Sequence, residues 1–127
     1  MTMNSYWLNF PVADIDQTIR FYEGIGMTYS GGGAADGRVA FKIGDQVLMF
    51  FQKDAIARNI GRELTDGHTA NETIVSFDAK TNEEVDEIAG KINDLGGKLL
   101  NEPHERMGYY GIMFQDPDGH LFNIIVM

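Results

Sequence analysis

Apolar and polar positions along the chain alternate with two different periods. Ile15, Ile19 and Tyr22 recur at the spacing of one helix face. Asp14 stands before them as a candidate N-cap, and Gln17 takes the position that closes a capping box. This pattern predicts a first helix that ends at the glycines of positions 24 and 26.

A second segment shows the helical period more clearly. Four apolar residues recur at i, i+3, i+4 and i+7: Val85, Ile88, Ala89 and Ile92. Thr81 and Glu84 form a capping box ahead of them, and Gly96-Gly97 follows as a stop signal. The sequence therefore predicts a second helix with well-defined ends.

The remaining apolar segments predict strands. We expect strands over residues 6–12, 28–30, 38–43, 46–52, 72–78, 98–101, 109–115 and 120–126. Alternation puts one set of residues on the helix-covered face, where all should be buried: Leu8, Phe10, Val12, Val75 and Phe77. Residues 53–70 are polar and are predicted to lie outside the regular elements.

The order strand, helix, three strands occurs twice. Val12-Ala13-Asp14 before one helix aligns with Phe77-Asp78-Ala79 before the other. The segment from Gly44 to Leu48 aligns with the segment from Asp118 to Phe122. We therefore predict an internal duplication within one domain over 1–127, with βαβββ modules at 1–53 and 71–127 and a linker at 54–70.

Composition excludes several kinds of chemistry. Ten basic against 19 acidic residues give a net charge of −9, which argues against nucleic acid and anionic membrane partners. The same charge is compatible with a cationic ligand and also with simple solubility. Without cysteine, the chain has no disulfide, thiolate nucleophile or cysteine-ligated metal. No signal peptide or membrane-length apolar run is visible, so we expect a cytoplasmic protein.

Two motifs carry a resemblance to a known family. Residues 9–15 (NFPVADI) lead into residues 19–27 (IRFYEGIGM), and residues 114–120 (FQDPDGH) precede Leu121-Phe122-Asn123. With these motifs the chain resembles the vicinal oxygen chelate superfamily, which includes glyoxalase I, extradiol dioxygenases, fosfomycin-resistance enzymes and bleomycin-resistance proteins. The resemblance implies an α+β fold. In it, paired βαβββ modules form a cupped, barrel-like mixed sheet with two outer helices.

The resemblance also implies where a metal would bind. In metal-binding members, one ligand of each module lies five residues before the valine that precedes the helix, and another lies on the last strand. Carried over to this chain, these positions are Trp7, Met49, Glu72 and Asn123. An indole offers no lone pair, a thioether is a soft ligand, and an amide oxygen is a weak donor. We therefore expect no catalytic metal and no other cofactor, with a divalent metal as the alternative.

The same positions are candidates for binding a small molecule. The predicted ligand-binding residues are Trp7, Asn9, Met49, Phe51, Glu72, Tyr109 and Asn123. Trp7 and Phe51 offer aromatic faces for a planar or cationic ligand, or they simply fill the core. Glu72 is the candidate catalytic residue, a partly desolvated carboxylate that serves as general base or pairs a cation, or else a solvated residue at a strand start.

The histidines and tyrosines are the other polar candidates. His68 and His104 are predicted to lie in surface loops. Tyr109 and Tyr110 straddle a strand, so one of them should face the cup.

Three classes of function remain open. The preferred one is a metal-free protein that binds a small, cationic or aromatic molecule, similar to bleomycin-resistance proteins. The second is a metal-dependent enzyme of the glyoxalase (lactoylglutathione lyase) or dioxygenase type. The third is a metal-independent enzyme, such as an isomerase that uses Glu72 as base. The resemblance further implies a homodimer, because open cups leave strand edges that pairing protects.

Overall fold

The computed structural model describes residues 1–127, which form two compact units, Met1–Leu64 and Thr65–Met127. The N-terminal unit contains β1 (Trp7–Val12), α1 (Ile15–Ile25), β2 (Thr28–Gly33), β3 (Arg38–Ile43), β4 (Gln46–Gln52) and α2 (Lys53–Ile60). The C-terminal unit contains β5 (Ile74–Ala79), α3 (Asn82–Ile92), β6 (Lys98–Leu99), β7 (His104–Arg106), β8 (Tyr109–Gln115) and β9 (Leu121–Val126). Both are α+β units. The N-terminal unit has the predicted βαβββ order followed by α2, and the C-terminal unit has the same order with one additional strand, β7.

The sheet of the N-terminal unit has the order β1-β4-β3-β2, with β1 parallel to β4 and the other pairs antiparallel. Helix α1 covers one face of this sheet. Tyr22 of α1 packs between Phe41 and Phe50, at ring-centroid distances of 5.6 and 4.6 Å. All three side chains are fully buried, so this aromatic cluster is the centre of the unit's core.

The sheet of the C-terminal unit has the order β5-β9-β8-β6, and β7 also pairs with β8. Helix α3 covers one face, with Val85 and Ile92 fully buried. Beneath it, the rings of Phe114 and Phe122 on neighbouring strands stack 5.4 Å apart. The two sheets are both unclosed, and each has a helix-covered face and an opposite face.

Both predicted helices begin at the predicted caps. Asp14 accepts a hydrogen bond from the backbone N–H of Gln17 at 3.2 Å, and Thr81 accepts one from Glu84 at 3.2 Å. Helix α1 ends at Gly26, whose φ of 101° lies in the left-handed region that glycine adopts without strain. The helix ends are therefore determined by local hydrogen bonding.

Two elements lie where none was predicted. Helix α2 occupies the polar segment after β4, with an i,i+4 pair between Arg58 and Asp54 at 3.4 Å and a left-handed Gly61 at its end. Strand β7, three exposed residues long, is held by backbone pairing to β8. The structure therefore has three helices rather than two. The division into modules 1–53 and 71–127 stays a prediction, and α2 takes up the start of the predicted linker.

Some strand limits and burials also differ from the prediction. The strand predicted from residue 72 begins at Ile74, the first residue that pairs with β9. Of the five positions predicted as buried, only Val12 is fully so, whereas the other four are half-buried. The four are Leu8, Phe10, Val75 and Phe77. They lie on β1 and β5, which are edge strands and have a neighbouring strand on one side only.

None of the three helices has the length and apolar character needed to cross a membrane.

Candidate functional site

A groove of about 240 Å³ lies on the face of the C-terminal sheet that is turned away from α3. Its polar lining residues are Asn101, His104, Arg106, Tyr109 and Asn123. Its other lining residues are Met107, Gly111, Ile112, Met113 and Ile125. The groove thus combines an apolar floor with a few polar side chains, which is the usual make-up of a small-molecule site.

Strand register brings these side chains together. On β8 and β9, Met113 pairs with Asn123 and Gly111 with Ile125. On the other side of β8, His104 of β7 pairs with Gly111. Because paired residues point to the same face of a sheet, these five residues form one continuous surface across three strands.

Gly111 keeps the middle of that surface open. A Cβ built at this position would overlap the carbonyl oxygen of Ile124 and stand 3.0 Å from Cγ2 of Ile125. The close approach of β8 to β9 therefore requires glycine here. Since Gly111 has no side chain, free space remains between His104 on one side and Ile125 on the other.

Asn101 is fixed in orientation by the backbone. Its Oδ1 accepts a hydrogen bond from the N–H of Met113 at 2.9 Å, so the amide nitrogen must point the other way. That Nδ2 donates to the carbonyl oxygen of Glu102 at 2.9 Å and lies 3.2 Å from Nδ1 of His104. Asn101 is therefore a positioning residue for the imidazole.

The imidazole of His104 has two ways to satisfy Nδ1. When protonated, Nδ1 donates to the carbonyl oxygen of Glu102 at 2.9 Å. When unprotonated, Nδ1 accepts from Nδ2 of Asn101 at 3.2 Å. Either neutral tautomer thus keeps a partner at Nδ1, and Nε2 is left to accept or to donate a hydrogen bond. His104 can therefore serve a ligand as donor or as acceptor.

The groove differs in charge from the chain as a whole. The chain carries a net charge of −9, yet no aspartate or glutamate side chain lines the groove. Arg106 lines it and makes no salt bridge with any carboxylate. Because opposite charges attract, this lining favours an anionic or neutral ligand over a cationic one.

The predicted site residues fall into three places. Tyr109 and Asn123 line the groove, and Tyr109 is the one of the two adjacent tyrosines that faces it. Asn123 also donates to the Ser76 hydroxyl at 3.3 Å. Four others lie on the open face of the N-terminal sheet: Trp7, Asn9, Met49 and Phe51. Trp7 is 56% exposed there, so it is not a core residue of its unit.

Glu72 lies in neither sheet. It occupies a bend before β5 and is exposed, which agrees with the alternative of a solvated residue rather than with a partly desolvated carboxylate. The residue that matches Val12 is Ala79 rather than Phe77, since each ends its strand two residues before a helix cap. The position equivalent to Trp7 is therefore Ile74.

The four positions that correspond to the family's metal ligands do not provide a metal site in this chain. Met49 and Asn123 are equivalent, because they pair with Asn9 and Ser76 at matching points of β1 and β5. With Ile74 in the first-strand position of the C-terminal unit, Asn123 alone offers an oxygen donor among the four. No group of three His, Asp or Glu residues elsewhere is arranged to hold a metal ion. A hard or borderline ion needs more such donors, and so the residues present do not fit it.

Three of the polar groove residues were not predicted as ligand-binding: Asn101, His104 and Arg106. His104 was expected in a surface loop, but it belongs to β7 and its side chain lines the groove. The segment around it shows no apolar alternation that marks a strand. One sequence feature could have indicated these three residues. Side chains with hydrogen-bond donors are concentrated between residues 101 and 106.

The chain resembles several solved structures over its full length. Hypothetical protein SA1046 from S. aureus is 30% identical, with a TM-score of 0.90, and the match covers 100% of this chain and 96% of that one. A glyoxalase-related enzyme from Fulvimarina pelagi is 19% identical, with a TM-score of 0.84, covering 98% and 89%. The fosfomycin resistance protein FosX from Mesorhizobium loti is 21% identical, with a TM-score of 0.71, covering 100% and 94%. The last two likenesses show the shared fold.

A comparison with curated proteins found no match. The sequence profile of one family, described as the Glyoxalase/Bleomycin resistance protein/Dioxygenase superfamily, matches residues 6–124. This range spans both units and includes both motifs on which the resemblance was based. The chain belongs to the Glyoxalase/Bleomycin resistance protein/Dioxygenase superfamily.

Proposed function

We propose that this protein binds a small molecule in the groove of its C-terminal unit. The observation that carries the proposal is the convergence of Asn101, His104 and Arg106 with Tyr109 and Asn123 over an apolar floor. Few and well-placed polar groups on an apolar surface give a site orientation and specificity, while the apolar part supplies affinity.

The size of the groove limits the ligand. Its volume of about 240 Å³ is below the range of roughly 300–1,000 Å³ that is usual for sites of drug-sized ligands. The ligand is therefore a small compound, or the groove holds one part of a larger one. Tyr109 and Asn123 also line the groove, and their side chains carry a hydroxyl and an amide that can bond polar groups of the ligand.

The expectations from the sequence about metal, location and oligomeric state belong to the same proposal. The protein is a metal-free binding protein of the bleomycin-resistance kind, located in the cytoplasm and active as a homodimer. The donor chemistry at Trp7, Met49, Ile74 and Asn123 supports the absence of a catalytic metal from the function. A metal-dependent enzyme of the glyoxalase or dioxygenase type is the alternative, and no feature of the site favours it. Glu72 remains a candidate residue of the third class, the metal-independent enzyme.

A thermal-shift screen with two matched tyrosine variants tests the proposal. A compound that binds the folded protein at 100 times its Kd stabilises it by ~2.7 kcal/mol, a shift that is readily measured. Tyr109→Ala removes a groove residue, and Tyr6→Ala removes an exposed tyrosine outside every element. We expect the shift to shrink for Tyr109→Ala and to persist for Tyr6→Ala. Equal shifts in both variants would place the ligand elsewhere and refute the proposal.

A further inference from the structure

We propose that the groove selects a small organic acid and holds its anionic group between Arg106 and His104. The inference rests on the proposed binding function and adds the chemical class of the ligand. It also reverses the expectation of a cationic ligand, which came from the net charge of the whole chain. The shared chemistry is a carboxylate, phosphonate or phosphate on a small carbon skeleton.

Arg106 supplies the charge. Arg106 lines the groove, is exposed, and makes no salt bridge within the chain. A planar guanidinium offers parallel N–H donors that match the two oxygens of a carboxylate or phosphonate. By contrast, Arg58 and Lys91 are paired with acidic residues, Arg58 with Asp54 at 3.4 Å and Lys91 with Glu87 at 3.3 Å. Arg106 therefore keeps its full capacity for an incoming anion.

His104 supplies a second donor on the same surface. His104 and Arg106 stand two residues apart on β7, so both side chains point to the groove face. When Nδ1 of His104 accepts from Asn101, Nε2 carries the proton and is free to donate to an anion. The N–H of Met113 donates to Oδ1 of Asn101 and so fixes the orientation of the Asn101 amide.

The apolar part of the acid has a matching surface. Met113 and Ile125 lie on the neighbouring strands of the same face, and Gly111 leaves space between them and β7. A ligand anchored at β7 by its anionic group would extend over Gly111 toward Ile125. This arrangement fits a molecule with an anionic group at one end and an apolar group at the other.

Three probes of similar size and different charge test the inference. Phenylacetate is an anion, phenylacetamide is neutral, and phenethylammonium is a cation, and each carries the same ring. Binding is followed by backbone amide NMR shifts of the ¹⁵N-labelled chain, with Gly111 and Asn123 as reporters of the groove. We expect phenylacetate to bind more tightly than the amide, and the amide more tightly than the ammonium.

Two variants assign the preference to Arg106. Arg106→Gln should weaken phenylacetate binding by about 10- to 100-fold, the cost of one charge-assisted hydrogen bond, and leave phenylacetamide unchanged. Lys80→Gln removes one positive charge from the same unit outside the groove and should leave both affinities unchanged. Retained dispersion of the amide spectrum shows that each variant is folded.

The outcomes separate this inference from the proposed function. If the amide or the ammonium binds in the groove as tightly as phenylacetate, the anion preference is overturned and the proposed binding site is retained. An equal loss of phenylacetate affinity in Lys80→Gln would show a general charge effect and overturn the role of Arg106. No groove shift with any of the three probes would count against the binding function itself, and the inference would fall with it.

Discussion

Gly67 and Gly119 touch backbone to backbone at the start of the C-terminal unit. A Cβ on Gly67 would lie 2.6 Å from the carbonyl oxygen of Asp118, and a Cβ on Gly119 would lie 2.6 Å from that of Gly67. Neighbouring side chains hold the same contact. Nε2 of His68 is 3.0 Å from the carbonyl oxygen of Pro117, and Nδ2 of Asn71 donates to that of Gly119 at 2.9 Å. The segment before β5 is thereby packed onto the turn before β9.

This contact predicts a strong effect of Gly119→Ala. The residue has a φ of +87°, so alanine would be strained, and its methyl group would also overlap Gly67. We expect a loss of about 2–4 kcal/mol in the free energy of unfolding, measured by urea denaturation. Gly26→Ala is the control, since φ is +101° but no atom lies within 4 Å. It should lose only about 1–2 kcal/mol. Equal losses would show that the contact contributes nothing.

Met107 is expected to lower the stability of the fold and to strengthen ligand binding. It occupies the two-residue turn between β7 and β8 with a φ of 54°, followed by Gly108 at 86°. Such turns favour asparagine and glycine, and methionine is disfavoured there. Met107→Asn should raise the free energy of unfolding by about 1 kcal/mol. Because the Met107 side chain lines the groove, the variant should bind phenylacetate more weakly.

The control for this prediction is Met3→Asn, at an exposed methionine outside every element. It should change neither stability in urea nor phenylacetate binding. A destabilised Met107→Asn protein would show that the methionine side chain contributes more through its contacts than its backbone conformation costs.

Tyr110 should make the fold sensitive to alkaline pH. Its hydroxyl donates to Oδ1 of Asp86 on α3 at 2.5 Å, and this hydrogen bond, with burial and the nearby acids, raises the pKa of Tyr110. A raised folded-state pKa stabilises the protein below the unfolded-state value of about 10, and the effect is lost as pH rises through the folded-state value. Tyr110→Phe should therefore lose less stability than wild type above about pH 10.

Urea denaturation between neutral and alkaline pH measures this difference. Tyr6→Phe, at an exposed tyrosine outside every element, should keep the wild-type pH dependence. An unchanged alkaline profile for Tyr110→Phe would mean that the hydrogen bond to Asp86 does not form in solution.

Divalent metals should not bind stoichiometrically. The predicted positions offer an indole, a thioether and an apolar side chain, with Asn123 as the one oxygen donor and Glu72 exposed outside the sheet. Dehydration of an ion for so few strong contacts yields little binding energy. Elemental analysis of protein purified without chelator, followed by nickel, zinc and manganese titration, checks this. Near-stoichiometric metal that disappears in Glu72→Ala would contradict it.

The chain is expected to form a homodimer. The edge strands β1 and β2 of one sheet and β5 of the other carry unpaired backbone groups, and association protects such edges. Light scattering at micromolar concentration should give twice the mass of one chain. A particle with the mass of a single chain would refute the prediction.

Much of the fold follows from short-range patterns in the sequence. Asp14 and Thr81 determine where the helices begin, because a cap and its partner lie three residues apart. The turn ending at Gly119, which has a φ of 87°, is equally local: Oδ1 of Asp116 accepts from the N–H groups of Asp118 and His120. Alternation along β4 and β8 identifies the buried face in the same way. The family could be identified because its motifs are these same local features.

Helix α2 and strand β7 show where local patterns fail. Helix α2 has only two large apolar residues, Ile56 and Ile60, and buries none, and its signals, the Asp54–Arg58 pair and Gly61, are individually weak. Strand β7 has three exposed residues, and only its pairing to β8 makes it a strand. The start of β5 is likewise decided by a distant partner. Ile74 pairs with Leu121, which comes directly after the turn and His120, so Glu72 stays outside the sheet.

The groove belongs to the part that only tertiary structure decides. Asn101 and Met113 are linked by a hydrogen bond across twelve positions, and Met113 is paired with Asn123 on the next strand. The sequence determined which residue types were available, alternation predicted that one of Tyr109 and Tyr110 faces the cup, and the family resemblance implied the position of Asn123. Whether His104 and Arg106 join them depends on the register of β7 against β8. That register is a property of long-range backbone pairing, which no short segment of the sequence contains.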